Sequence, residues 1–124
     1  MQLTEQRNEQ QLFVRKADAT NVVVIDRAFT TSLLLSSSEA VTDFPPRTVD
    51  QLDATAIDTI LALKPEVVLL GTGMRAVFPA QAVLGEFLRR GIGLETMDNA
   101  AAARTFNVLA GEGRRVVAVF LLPG

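Results

Sequence analysis

With 124 residues, 48% of them hydrophobic, the chain is long and apolar enough to bury one core without disulfides or metals. It has no Cys and no His, which excludes disulfide frameworks, thiol nucleophiles, Ser-His-Asp chemistry and histidine-ligated metals. A net charge of −2 gives no footprint for nucleic acid, and without Tyr or Trp any stacking platform falls to the seven Phe.

Residues 1–10 are polar and read as a mobile tail, with 11–124 as a single domain. No run is long enough for a membrane span. Residues 1–10 lack an apolar stretch and carry Glu5 and Glu9, so a soluble cytoplasmic protein is expected. Residues 12–16 alternate imperfectly and predict a weak edge strand. After a turn at 17–21, the β-branched run Val22, Val23, Val24, Ile25 predicts a firm strand. Residues 26–28 are a short connection, and 29–36 read as the next strand, so the two form an antiparallel hairpin. The stretch 36–46 ends in Pro45 and Pro46, which block helix and ladder alike. Phe44 is expected to plug the sheet edge.

Helix one is predicted over 50–63, with Leu52, Ala56, Ile57, Ile60 and Leu61 on one face and Asp50 or Asp53 as its cap. The charge-free run 67–70 has the length of a strand buried on both faces. Pro79 opens helix two, which runs to Arg90 with Val83, Leu84, Phe87 and Leu88 inward, and Gly91 stops it. Residues 92–97 predict a strand parallel to 67–70 through a right-handed crossover. Asp98 and Asn99 cap helix three, residues 100–110, which buries Ala102, Ala103, Phe106, Leu109 and Ala110. The all-apolar run 116–122 should be a central strand covered on both faces.

The chemistry-bearing positions gather at strand ends. Gly71, Thr72 and Gly73 leave the buried strand in a tight turn that resembles the start of a phosphate-binding loop. Ala76 stands where the dinucleotide fingerprint needs its third glycine, and no Gly-Lys-Ser/Thr follows. If the strands 67–70 and 92–97 are adjacent, Asp98 and Asn99 lie beside this turn and Arg75 reaches the same crevice. These groups suffice to bind a small polar ligand, but helix capping alone accounts for Asp98 and Asn99. Asn107 is unusual inside an alanine-rich helix. Facing inward it needs partners, and the 71–73 turn is the expected one.

The spaced elements Gly71-Thr72-Gly73, Gly91-Ile92, Glu95-x-Met97-Asp98, Ala102-x-Arg104-Thr105-Phe106-Asn107-x-Leu109 and Glu112-x-Arg114-x-Val116-x-Ala118 resemble a small bacterial and archaeal domain family of unknown molecular function. Its eukaryotic members include the mitochondrial complex I assembly factor 3. The resemblance covers residues 22–123 and departs from the family's usual Thr at Asn99 and Tyr at Phe106. It implies an α/β fold: three layers, a mixed central sheet, covering helices and a small extra N-terminal β-layer. It implies no catalytic residues, no cofactor and no metal. It points to a respiratory-complex subunit as protein partner.

Two functions follow as expectations. One is a non-enzymatic interaction or assembly domain, monomeric or weakly dimeric, with no nucleic-acid partner and no stable membrane insertion. Its apolar surface is expected around Phe44 and Phe78. The other is a small polar or anionic ligand binder, or an enzyme, at a crevice formed by Gly71, Thr72, Gly73, Arg75, Asp98, Asn99 and Asn107.

Overall fold

The computed structural model describes residues 11–124. The tail expected over 1–10 lies outside the described residues. In chain order the elements are β1 (Val14–Ala17), β2 (Val22–Val24), β3 (Arg27–Phe29), β4 (Thr31–Leu35) and β5 (Ala40–Val41). A single 3-10 turn at Val49–Gln51 precedes α1 (Ala54–Leu61) and β6 (Val67–Gly71). Then follow α2 (Gln81–Leu88), β7 (Gly93–Met97), α3 (Asn99–Gly111) and β8 (Val116–Pro123).

Among the described residues these strands form two sheets. β1, β2 and β3 make a small antiparallel sheet in that order. The central sheet runs β5-β4-β8-β6-β7, with β4 antiparallel to β8 and β6 parallel to both β7 and β8. It is therefore mixed, and β8 sits in its middle as an uncharged strand should.

Side-chain alternation sorts the core into two halves. Leu33, Leu35, Val67, Leu69, Ala118 and Phe120 face α3 and the small sheet, through Ala102, Phe106, Val22 and Phe29. Leu34, Val68, Leu70, Val117 and Val119 face the opposite layer, formed by Ile57 and Ile60 of α1, Phe87 of α2 and Phe44. Three layers result: small sheet with α3, central sheet, then α1 with α2.

Three expectations need correction. The run 29–36 is not one strand. Its first residue completes the hairpin β2–β3, and after Thr30 the chain enters the central sheet as β4. Ser32 makes the entry possible: its buried hydroxyl accepts the Leu122 N–H (2.9 Å) and donates to the Leu122 carbonyl (3.3 Å) where the β4–β8 register slips. Helix one is shorter than 50–63, because Asp53 takes the cap by accepting the Ala56 N–H at 2.9 Å. In α2 only Phe87 is fully buried, while Leu88 is 77% exposed at the helix's last residue.

Candidate functional site

The chain leaves β6 toward the α1–α2 layer and leaves its parallel neighbour β7 toward the α3 layer. Their carboxyl ends thus form a topological switch point, the place where open α/β sheets usually receive ligands. The turn at Gly71, Thr72 and Gly73 lies there with Asp98 and Asn99, as the sequence suggested.

In this structure the protein's own groups occupy the crevice. Asn99 is wholly buried, and its side chain points away from the helix it begins. Its Oδ1 accepts the Gly73 N–H at 3.1 Å. Its Nδ2 donates to the Leu121 carbonyl (3.3 Å) and to the Asp18 carbonyl (3.0 Å). Its main-chain N–H donates to the Gly73 carbonyl at 2.9 Å. One amide therefore ties the β6 turn, the central strand β8 and the small sheet's first turn together. That first turn is itself fixed by the Asp18 carboxylate, which accepts the N–H groups of Thr20 (3.0 Å) and Asn21 (2.8 Å). The Thr20 N–H above all holds the Asp18 carboxyl below its ordinary range.

The close approach of Asn99 explains the first glycine. A Cβ on Gly71 would stand 2.5 Å from Asn99 Oδ1 and 3.0 Å from the Val119 carbonyl oxygen. The second glycine answers to backbone conformation, since Gly73 has φ +98.

Asp98 caps α3, its Oδ1 accepting the Ala101 N–H at 2.7 Å. Asn99 is not part of that cap. Thr72 braces the following loop. Its N–H donates to the Met97 carbonyl (3.0 Å), its hydroxyl lies 2.5 Å from the Arg75 carbonyl, and it accepts the Val77 N–H at 2.9 Å. Arg75 joins the turn through this carbonyl, and the residue itself is exposed.

Asn107 does not reach the turn. It stands eight residues beyond Asn99, which is about 12 Å along a helix. Its Oδ1 accepts the Val14 N–H (2.9 Å) and its Nδ2 donates to the Val14 carbonyl (2.8 Å). The side-chain amide thus acts as a ladder partner for β1.

The expected apolar surface also changes. Phe44 is buried at 4% exposure, because its ring packs into the core beneath α1. Phe78 is 73% exposed, and Met74 (83%) and Val77 (41%) accompany it on the loop that Thr72 braces. The sequence signal for the last two was a short apolar stretch without helical or strand period, set between Gly73 and Pro79. Among the described residues no group of three or more acidic side chains gathers to hold a metal ion.

Residues 14–121 match the family described as "protein of unknown function (DUF498/DUF598)". The chain belongs to this family. The resemblance read from Gly71 onward is therefore correct, and the DUF498/DUF598 fold has close counterparts among solved structures. An NMR structure from Xanthomonas campestris is 44% identical, covers 100% of this chain and 94% of its own, and superposes with a TM-score of 0.87. Among curated relatives of this chain, the Danio rerio NADH dehydrogenase (ubiquinone) 1 alpha subcomplex assembly factor 3 is 36% identical over 72 residues, 58% of this chain and 41% of that protein. This chain thus spans less than half of the assembly factor's length. A Francisella tularensis protein called 13 kDa major membrane protein is 24% identical over 123 residues, 98% of this chain and 99% of its own. In the present chain no helix among the described residues is long and apolar enough to cross a membrane.

Proposed function

We propose that this chain is a non-enzymatic interaction domain that docks a protein partner through the loop at residues 74–78. The observation that carries this reading is the exposure of Met74, Val77 and Phe78 on a loop that the Thr72 hydroxyl bonds at Arg75 and Val77. Among the described residues, three of the six large exposed hydrophobics, Met74, Val77 and Phe78, fall within five consecutive positions. A clustered apolar surface is what a partner site requires, and a preformed loop lowers the ordering cost of binding.

The relation to a complex I assembly factor supports a respiratory-complex subunit as the partner. On this reading the chain is cytoplasmic, and monomeric or weakly dimeric until it meets that subunit. The absence of His and Cys supports binding without chemistry, and Asp98 already serves as a helix cap. A small ligand at the 71–73 turn is the weaker reading, because the Gly73 N–H and the Asn99 amide are already paired.

Affinity capture from the native cell tests the docking loop, with the wild-type chain against a Met74→Ser, Phe78→Ser double variant. Both sites are exposed, so the variant should keep its circular dichroism and lose the captured subunit. Equal capture by a folded variant would sink the proposal. A panel of ester, phosphate and nicotinamide substrates, with Asp98→Asn as control, tests the non-enzymatic part. Turnover that disappears in the folded Asp98→Asn variant would overturn it.

A further inference from the structure

The amino-terminal ends of β6 and β8 lie at the opposite end of the central sheet from the 71–73 turn. A cleft of about 240 Å³ opens there. Lys64 and Arg115 line it, with the serine turn at residues 36–38 and the carboxylate residue Glu39. Leu63 adds an aliphatic side to it.

Two cations against one carboxylate leave this lining positive. Among the described residues the ion pairs join Glu86 to Arg89 and Arg90, and Glu66 to Arg114; neither Lys64 nor Arg115 makes one, although the Arg115 charge also favours the ionised Glu66. The nearby Glu66 carboxylate is engaged by Arg114 and by the main-chain N–H of Arg115. Arg115 Nε donates to the Lys64 carbonyl at 3.2 Å, which fixes the guanidinium beside the Lys64 backbone.

Lys64 also occupies a costly position. Its φ is +56, just past the end of α1, where glycine would be unstrained. The helix does not need the lysine side chain as a cap. The carbonyls of Asp58, Ile60 and Leu61 already receive the N–H groups of Ala62, Leu63 and Lys64. The Ser36 hydroxyl is used within its own turn, accepting the N–H groups of Ser38 and Glu39, whereas the hydroxyls of Ser37 and Ser38 make no hydrogen bond among the described residues.

We propose that this cleft binds a small organic carboxylate with a short aliphatic body. The oxyanion sits against Lys64 and Arg115 with the hydroxyls of Ser37 and Ser38, and the aliphatic part lies on Leu63. Glu39 sets the preference for a single negative charge, because a dianion would meet its carboxylate across a small space. This site is separate from the loop at 74–78 and stands whether or not that loop docks a protein.

The test is a titration of the ¹⁵N-labelled full chain at constant ionic strength with butyrate, butan-1-ol and inorganic phosphate as probes. Butyrate should give saturable shifts confined to the amides around Ser37, Lys64 and Val117. Butan-1-ol should give none, and phosphate should bind several-fold more weakly. Lys64→Gln and Arg115→Gln should each weaken butyrate by about three- to fivefold, the worth of one exposed ion pair. The same spectra report whether each variant is folded. High salt provides a check without mutation, since it should abolish the response of the wild-type chain. A non-saturable response, equal affinity in both folded variants, or phosphate binding as tightly as butyrate would each overturn the assignment.

Discussion

Replacing Asn99 should reveal how much one buried amide contributes to this fold. Asn99→Ala removes three side-chain hydrogen bonds from a wholly buried position. Each such bond is worth about 1 kcal/mol net, and a buried group left without a partner costs about 1–3 kcal/mol. The Leu121 carbonyl is the group in the buried environment, whereas the Gly73 and Asp18 bonds are only partly buried and water can replace them. Alanine returns about 0.6 kcal/mol in helix propensity. The expected loss is therefore about 2–4 kcal/mol. Urea melts followed by circular dichroism measure it, with an unchanged m-value as the check that the denatured state is the same.

Asn99→Asp sharpens the test, since it keeps the shape and the acceptor for Gly73. It also turns the Nδ2 donor into an oxygen facing two carbonyls. Its carboxyl should titrate above the ordinary range in the folded protein, because the protonated form restores one donor. The folded state then binds a proton that the unfolded state has released, so stability falls as pH rises between the two pKa values. A loss below about 1 kcal/mol for Asn99→Ala, or a pH-insensitive Asn99→Asp, would refute the bridging role argued here.

Gly71→Ala should destabilise by about 1–3 kcal/mol, since its Cβ would press on Asn99 Oδ1 and the Val119 carbonyl; differential scanning calorimetry reads this directly. Pairing it with Asn99→Ala should relieve part of the loss, giving a non-additive cycle. Asn107→Ala should cost about 1–3 kcal/mol and should speed hydrogen exchange in β1, where Val14 loses both partners, more than in β8. The Arg115 N–H, and after it the Arg114 charge, favour the ionised Glu66, which is held below its ordinary range. Its stabilisation is present above the unfolded pKa, near 4.5, and is lost as pH falls through the lower folded value. Glu66→Gln should therefore flatten the acid limb of the stability curve, and acid titration by circular dichroism would show this.

The strands were legible where composition left no alternative. The run Val67–Gly71 and the run Val116–Leu122 carry no charge, and both lie buried inside the sheet. The handover at Thr30 was not legible, because residues 29–36 contain no Gly, Pro or charge to mark where the chain changes sheets. Nothing in a period-two pattern says which ladder a strand joins. Leu88 fits the inward stripe of α2 by spacing, but the helix ends there and that residue stays in solvent.

At the site, the glycines and the neighbouring Asp98 and Asn99 were identified by spacing alone. The roles of the two asparagines were not. Helix rise places Asn107 too far along α3 to meet the turn, and only the packing of β1 on α3 supplies its partner. Asn99 looked like one half of a cap, since a sequence cannot show that Asp98 already satisfies the helix.

The position of β8 bears on how the molecule is made. Its two neighbours, β4 and β6, never pair with each other, and the β5-β4 and β6-β7 halves of the sheet are joined only through β8. Leu34 finds Val119 and Leu70 finds that same residue from the other side. During synthesis the amino-terminal strands leave the ribosome first. The apolar edges of β4 and β6 must then wait, unpaired, until the last of these strands emerges. The sheet can close only after β8 has emerged, and the interval before it arrives is when a nascent chain of this kind depends most on chaperones.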